Sequence, residues 1–379
     1  MKKLSHFFAE VFAVIGRLFA DDSAKSTMIV GILIYSVLYP QPYVGEVLRD
    51  VPVVVIDQDN STASRALVRE IDVTDLVDVT MSAPDMETAR DAFFRRDVYG
   101  IFVIPAGFEA DILASRPAPL AAYSDGSYLL IYSNVMRAVS TVAGTMGAQV
   151  NYARLTAMGV DDGVARTMLS PVSVTNVSVF NPQGGYASYV IPAAFVLILQ
   201  QTLLMGIGLL HAGRRPPTGA RMLATIAAYF ALYMVWVAFT QMAIPYFYSI
   251  PRTGDFATLL LVSVPFILAC IAMGFAIAMA IPWREGVVFF LVVIGMPLFF
   301  LSGISWPVEM IPDHLRTLSM LVPSSTAISA FVAVDQMGAS ARDVAGAIQT
   351  QIVLVVVYST LAFALSRLTR NRADGRVTE

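Results

Sequence analysis

Six charge-free stretches, each close to the length of a bilayer crossing, constrain this chain more than any other feature. A bilayer core takes about 20 apolar residues per helix. One stretch lies between Lys25 and Glu46, and a second runs from about Tyr186 to Leu210. A third runs from Met222 to about Tyr248 and a fourth from Phe256 to Trp283. The fifth starts at Gly286 and ends near Ser302, and the sixth runs from about Val344 to Ser366. Charged residues make up 14% of the chain, against about one-quarter in an ordinary globular domain. Most of the Asp and Glu fall between Glu46 and Asp162. A soluble block is thus embedded in a membrane chain. The expected fold is a mainly α-helical polytopic membrane protein with six transmembrane helices and an inserted α/β extracytoplasmic domain.

The short loops set the orientation through their Lys and Arg content. Lys2, Lys3, Arg17, Lys25, Arg214, Arg215, Arg221, Arg284, Arg367, Arg370, Arg372 and Arg376 fall on one side, and only Arg252, Arg316 and Arg342 on the other. Both termini are therefore expected in the cytoplasm of a cell (inner) membrane protein, with residues 44–185 periplasmic or extracellular. The net charge of −3 and the lack of any basic cluster beyond short loops give no reason to expect nucleic acid. The single cysteine, Cys270, lies in an apolar run and can form neither an intrachain disulfide nor a thiolate metal cluster.

Residues 1–24 begin like a signal peptide, but Glu10 and Arg17 interrupt the apolar run and no convincing cleavage site precedes the first span at 25–43. Leu4, Phe7, Phe8, Val11, Phe12, Ile15, Leu18 and Phe19 recur at helical spacing, with Lys3, His6, Glu10 and Arg17 opposite. That pattern predicts an amphipathic helix lying in the cytoplasmic interface.

Between the first two spans the period changes. Val51–Asp59 reads as a strand ending in a turn, after which Asn60, Ser61 or Thr62 can cap a helix through Ile71. Leu76–Met81, Val98–Pro105 and Pro119–Asp125 read as strands, with helices over Pro84–Arg95 and Gly107–Ala114. A long helix is predicted from Tyr128 to about Met158, then a strand over Val172–Phe180. Strand–helix alternation argues for an α/β domain. Its carboxylates Asp57, Asp59 and Asp125 sit at strand ends, where turn and cap formation is the ordinary role. With no His or Cys in this domain, no catalytic triad or metal-spaced set can be assembled. A binding or docking domain is expected.

The five later spans carry no Asp, Glu, Lys or Arg in their interiors, which argues against a proton-coupled carrier. All three lysines, Lys2, Lys3 and Lys25, precede or open the first span and follow no phosphate-binding loop. If ATP drives this protein, another chain binds it.

Val51–Ile71, Ala89–Phe94, Val98–Ile112 and the YSDGS stretch at Tyr123–Ser127 follow the first span in order. Asn181–Leu204 enters the second span, and Met296–Phe331 precedes the last. Together these segments, covering nearly the whole chain, resemble the membrane subunit of an ABC exporter of the type-2 permease (ABC-2) family, in its large-ectodomain form. The resemblance implies a permease dimer, homo- or heteromeric, with each subunit docked on a cytoplasmic ABC ATPase that binds ATP and Mg, and no cofactor in this chain. Membrane lipids and a periplasmic adaptor protein are further candidate partners. Docking in the family uses the N-terminal helix and the loop between the second and third spans. Here those offer Phe8, Phe12 and Arg17, and Arg214, Arg215 and Arg221. The three loop arginines serve equally well as topology determinants, and Pro216-Pro217 opposes a continuous helix across the loop.

Ser302-Gly303, Pro307, Pro312 and Pro323 break residues 303–331 into short apolar pieces. They read either as an external re-entrant region or as an ordinary amphipathic loop. Gln200, Gln201, Thr240 and Gln241 are the polar groups within spans. They are candidates for a substrate route, with helix–helix hydrogen bonding as the alternative. A membrane receptor or scaffold whose external domain binds a ligand or adaptor is the competing function, and it would need cytoplasmic mass that this chain lacks. A membrane-embedded enzyme would have only His314, with Asp313 and Glu309 nearby.

Overall fold

The computed structural model describes residues 2–43, 48–171, 185, 187–304 and 310–375. The chain divides into two compact units, one of residues 1–46 with 178–379 and one of residues 47–177.

In the first unit, helix α1 (Lys2–Ala20) follows the predicted amphipathic pattern. Val14 and Leu18 are buried in the core that also holds Tyr229 and Tyr233, while Leu4, Phe8, Phe12 and Phe19 are exposed. Among the described residues six helices are long and apolar enough to cross a membrane: Asp22–Tyr43, Ala187–His211, Ala220–Phe247, Phe256–Ala280, Arg284–Leu301 and Ala345–Leu368, here spans 1 to 6. Spans 2 and 4 are 78% and 67% buried, against 17% and 11% for spans 5 and 6, so the bundle is organised around spans 2 and 4. Small residues let the neighbours of span 2 approach closely. A Cβ on Gly206 would lie 2.1 Å from Sδ of Met28 in span 1, and one on Gly208 would lie 2.3 Å from a methyl of Val287 in span 5.

Between spans 5 and 6 lie two helices, a first arm (Asp313–Ser319) and a second arm (Pro323–Met337), bent by 90° at the break. The sequence pattern ends this region at 331, but the second arm runs six residues further, to Met337, and Gly338 in the left-handed conformation terminates it. The strand expected over 172–180 lies outside the described residues, as does Pro307.

The unit 47–177 contains a four-stranded sheet in the order β2-β1-β3-β4. The strands are β1 (Val51–Asp57), β2 (Val77–Ser82), β3 (Gly100–Ile104) and β4 (Ala121–Ser124). β1 runs parallel to β2 and β3, and β4 is antiparallel to β3. Alternation along β1 supplies two buried faces. Val51, Val53 and Val55 pack with Leu67 and Ile71 of α2 (Thr62–Asp72), while Val54 and Ile56 pack with Ala89 and Ala92 of α3 (Met86–Phe94). Short helix α4 (Phe108–Leu113) follows β3, and the long α5 (Leu129–Ala157) places Val135, Ala138 and Val142 on the first face. Helix α6 (Asp162–Leu169) was not anticipated from the pattern; its N-cap is Asp161, whose side chain accepts from Gly163 and Val164.

Candidate functional site

The polar residues of span 2 separate by rotation. Successive residues on a helix point about 100° apart, so Gln200 and Gln201 meet different neighbours. Gln200 is fully buried, and its Oε1 accepts the backbone N–H of Ser324 at 2.8 Å. That N–H belongs to the first turn of the second arm, where helices leave donors unpaired, and Pro323 begins the arm. Gln351 of span 6, fully buried, completes the bracket: its Nε2 donates to the Pro323 carbonyl at 2.6 Å and to Thr326 Oγ1 at 2.5 Å. Tyr358 donates to the Leu321 carbonyl at 2.6 Å. Tyr358 lies thirteen residues beyond Ala345, about 20 Å along span 6 at 1.5 Å per residue. The turn between the arms therefore sits at mid-span depth beside spans 2 and 6. A surface loop would leave these carbonyls to water.

Gln201 faces the other way. It lines a cavity of about 460 Å³ between spans 1, 2 and 5, walled by Tyr35, Ile198, Leu291, Met296 and Phe299. Both Oε1 and Nε2 of Gln201 are buried with no hydrogen-bond partner. Gly295 of span 5 makes the room: a Cβ there would lie 3.3 Å from the Gln201 Nε2. A buried amide with four unused hydrogen-bonding positions costs about 1–3 kcal/mol unless something meets it, and the surrounding wall is apolar. Of the four residues singled out in the spans, this is the one aimed into open space.

Thr240 and Gln241 bond to helix backbone, with the Gln241 Oε1 left buried and without a hydrogen-bond partner. Thr240 donates to the Trp236 carbonyl within its own helix at 2.8 Å. Gln241 Nε2 donates to the Pro192 carbonyl of span 2 at 3.1 Å. The helix widens to a π-turn over Phe239–Ala243, which holds both residues.

The docking candidates are not on one surface. Phe8 and Phe12 are on the outward apolar stripe of α1, whereas Arg17 falls about 140–180° away around the helix and donates to the Ala13 carbonyl. No helix crosses residues 212–218; there Arg214 reaches the Leu210 carbonyl at 3.2 Å and Arg215 is exposed. Arg221 pairs with Glu10 of α1 at 3.2 Å, and Arg284 contacts both carboxylate oxygens of Asp21 at 2.9 and 3.0 Å. Glu10, Asp21 and Arg284 thus tie α1 and the start of span 1 to the basic end of the bundle. The charge count treated Arg284 as a topology signal only.

At the opposite end, Ser302 donates to the Phe299 carbonyl and Tyr189 donates to the carbonyl of Gly303, whose φ is +84°. Pro312 is the N-cap of the first arm. The segment before span 4 grips the end of the second arm. Thr253 N–H and Gly254 N–H donate to the Asp335 carbonyl at 3.0 and 3.2 Å, and the Arg252 guanidinium donates to the Asp335 carboxylate. Asp335 is 1% exposed and Arg252 19%, making a nearly buried ion pair where the sequence suggested only loop charges. His314 and Asp313 are exposed, and Glu309 lies outside the described residues.

In the 47–177 unit Asp57, Asp59, Glu109 and Asp125 each accept hydrogen bonds from neighbouring groups. Asp57 accepts from the N–H groups of Asp59 and Asn60 and from the Ser64 hydroxyl. Asp59 accepts the N–H groups of Gly107 at 2.7 Å and Glu109 at 3.0 Å, capping α4, while Glu109 accepts the Ala63 N–H at the start of α2. The Ser61 hydroxyl first, and then these N–H donors, hold the Asp59 carboxyl below its ordinary value. Asp125 is likewise lowered, by the Ser127 N–H and the Arg96 guanidinium. Among the described residues no group of His, Cys, Asp and Glu is placed to hold a metal ion.

No curated protein matches the chain. The family described as ABC-2 family transporter protein matches residues 26–364, all six spans except the ends of the first and last. With six apolar helices among its described residues and a match across nine-tenths of its length, the chain belongs to the ABC-2 family, as the multi-pass permease subunit of an ABC transporter.

Proposed function

We propose that this chain is the permease half of an exporter that moves an amphipathic substrate of drug, lipid or glycan type out of the cytoplasm or inner leaflet. In this reading ATP and Mg are bound by a separate ATPase subunit, and two permease chains meet at the cavity between spans 1, 2 and 5. The observation that carries it is Gln201: an unpartnered buried amide in an otherwise apolar cavity suits a ligand with one polar group on an apolar body. The exposed side of span 5, with Phe289, Val292, Val293 and Met296, supports a facing second copy. The termini and the basic end are placed in the cytoplasm, where Phe8, Phe12, Arg214 and Arg215 remain open to an ATPase. Residues 44–185 are placed outside as an α/β domain for binding or for an adaptor, and the bent arms close the outer side of the route.

The test is efflux of a panel of amphipathic dyes from cells making this chain together with its ATPase partner. Efflux should vanish when the partner's P-loop lysine is replaced, and should fall at least tenfold in Gln201→Leu with the ATPase still bound. Efflux that persists without any ATPase chain would sink the proposal. Ligand binding by the external domain with no transport would favour the receptor reading.

A further inference from the structure

A second cavity lies between spans 3, 4 and 6 and shares no residue with the one at Gln201. It encloses about 470 Å³, within the roughly 300–1,000 Å³ of small-molecule sites. Its floor is apolar: Ile271, Phe275 and Met279 of span 4 are buried, and Met222 of span 3 and Phe363 of span 6 wall it. Its mouth is at the basic end of the bundle, where the 216–219 segment and Arg367 border it.

Arg221 and Arg284 are matched to Glu10 and Asp21. Among the described residues Arg367, like Arg17, Arg214 and Arg215 of that end, has no carboxylate ion pair, and of these four it is the one that borders this cavity. Its guanidinium rests over the Phe363 ring, 4.6 Å from the centroid, which holds the charge at the rim of the apolar floor. Span 3 starts beside it, and Gly219 at its N-cap position has no side chain to satisfy the first N–H groups. An apolar trough roofed by one uncompensated cation, set among membrane spans, matches one kind of molecule. An acyl chain fits the trough, an anionic headgroup fits the rim, and lateral diffusion in the bilayer brings both. A soluble anion would meet a single charge, and a neutral lipid would leave that charge unanswered.

We propose that this cleft seats an anionic phospholipid, its phosphate on Arg367 and the start of span 3 and one acyl chain along Met222, Phe275 and Met279. Assigning it to the cytoplasmic leaflet rests on the orientation given above; the contact itself does not depend on the transport reading. The purified full chain in detergent, titrated with phosphatidylglycerol or with phosphatidylcholine of the same chains, would be read by native mass spectrometry. Phosphatidylglycerol should be retained preferentially. Arg367→Gln should lower its retention about fivefold, the effect of one basic group near a headgroup, while Arg367→Lys should keep most of it. Ala272→Phe, which fills the floor, should weaken both lipids, and Arg342→Gln at the opposite end should change neither. Equal retention of the two lipids, or an unchanged preference in Arg367→Gln, overturns the proposal. So does displacement of the bound lipid by glycerol phosphate alone, since that would reveal an anion site without an acyl seat.

Discussion

Replacing Arg252 by Ala should destabilise the membrane unit far more than replacing its partner, Asp335, by Asn. The asymmetry follows from burial: the Asp335 side chain is 1% exposed and the Arg252 side chain 19%. With the guanidinium gone, the Asp335 carboxylate keeps one side-chain donor, Gln336 Nε2 at 3.1 Å, and stays where water does not reach. Removing one partner of a buried pair costs about 3–5 kcal/mol. With Asp335→Asn the orphan is Arg252, which can turn its charge to solvent, and the loss is that of a hydrogen bond to a charged group, about 1.5–3 kcal/mol. For a body of this size 1 kcal/mol shifts Tm by about 2–4 °C. Arg252→Ala should then lower the apparent Tm of the purified chain by about 6–20 °C, and Asp335→Asn by roughly half as much. The double variant Arg252→Gln with Asp335→Asn should recover much of the loss, because it leaves no buried charge, and the double-mutant cycle should show strong coupling. A Tm for Arg252→Ala within about 2 °C of wild type, or a larger drop for Asp335→Asn, would refute the account of a desolvated carboxylate fastening the second arm.

The contrasting pair Arg221–Glu10 has a 73% exposed arginine, so Arg221→Gln should change stability by less than about 1 kcal/mol, measured by the same melts. Gly295→Ala places a methyl 3.3 Å from the Gln201 amide; dye efflux should drop severalfold with Tm nearly unchanged, and a fully active variant would remove Gln201 from the route. Asp59 has a lowered carboxyl in the folded state, so its contribution is present above the ordinary carboxylate range and is lost as pH falls through that range toward the lowered value. Hydrogen exchange at Gly107 and Glu109 in the full chain should accelerate below about pH 4, and Asp59→Asn should abolish that dependence.

How much of this was legible depended on the range of the interactions. The spans were visible because burial in lipid demands long runs without charge, and that demand acts on each residue separately. β1 was visible because burial on both faces makes it a continuous β-branched run, and a cap among Asn60, Ser61 and Thr62 because capping is local; Ser61 takes it, with Ser64 three residues on. Asp335 and Arg252 stand 83 residues apart, and neither position carries a local signature. Asp335 lies on a helix that proline spacing suggested would end earlier. Gln351 escaped notice because it enters near the start of span 6, where an amide ordinarily reaches water; only the mid-depth turn of the arms gives it buried partners.

Rotational phase was the other barrier. Phe8, Phe12 and Arg17 look like one docking group on paper, yet the buried Val14 and Leu18 fix α1 so that the phenylalanines face outward and the arginine turns away. Gln200 and Gln201 look interchangeable, and no pattern along span 2 distinguishes them, since both flanks are apolar. Their roles are assigned by neighbours: the bent arms arrive on one side and Gly295 leaves space on the other. One rigid helix therefore carries both the amide that holds the arms at mid-depth and the amide that lines the cavity. Any turn of span 2 that releases Ser324 must also rotate Gln201 against spans 1 and 5, so the seating of the bent arms and the shape of the cavity are linked through two consecutive residues.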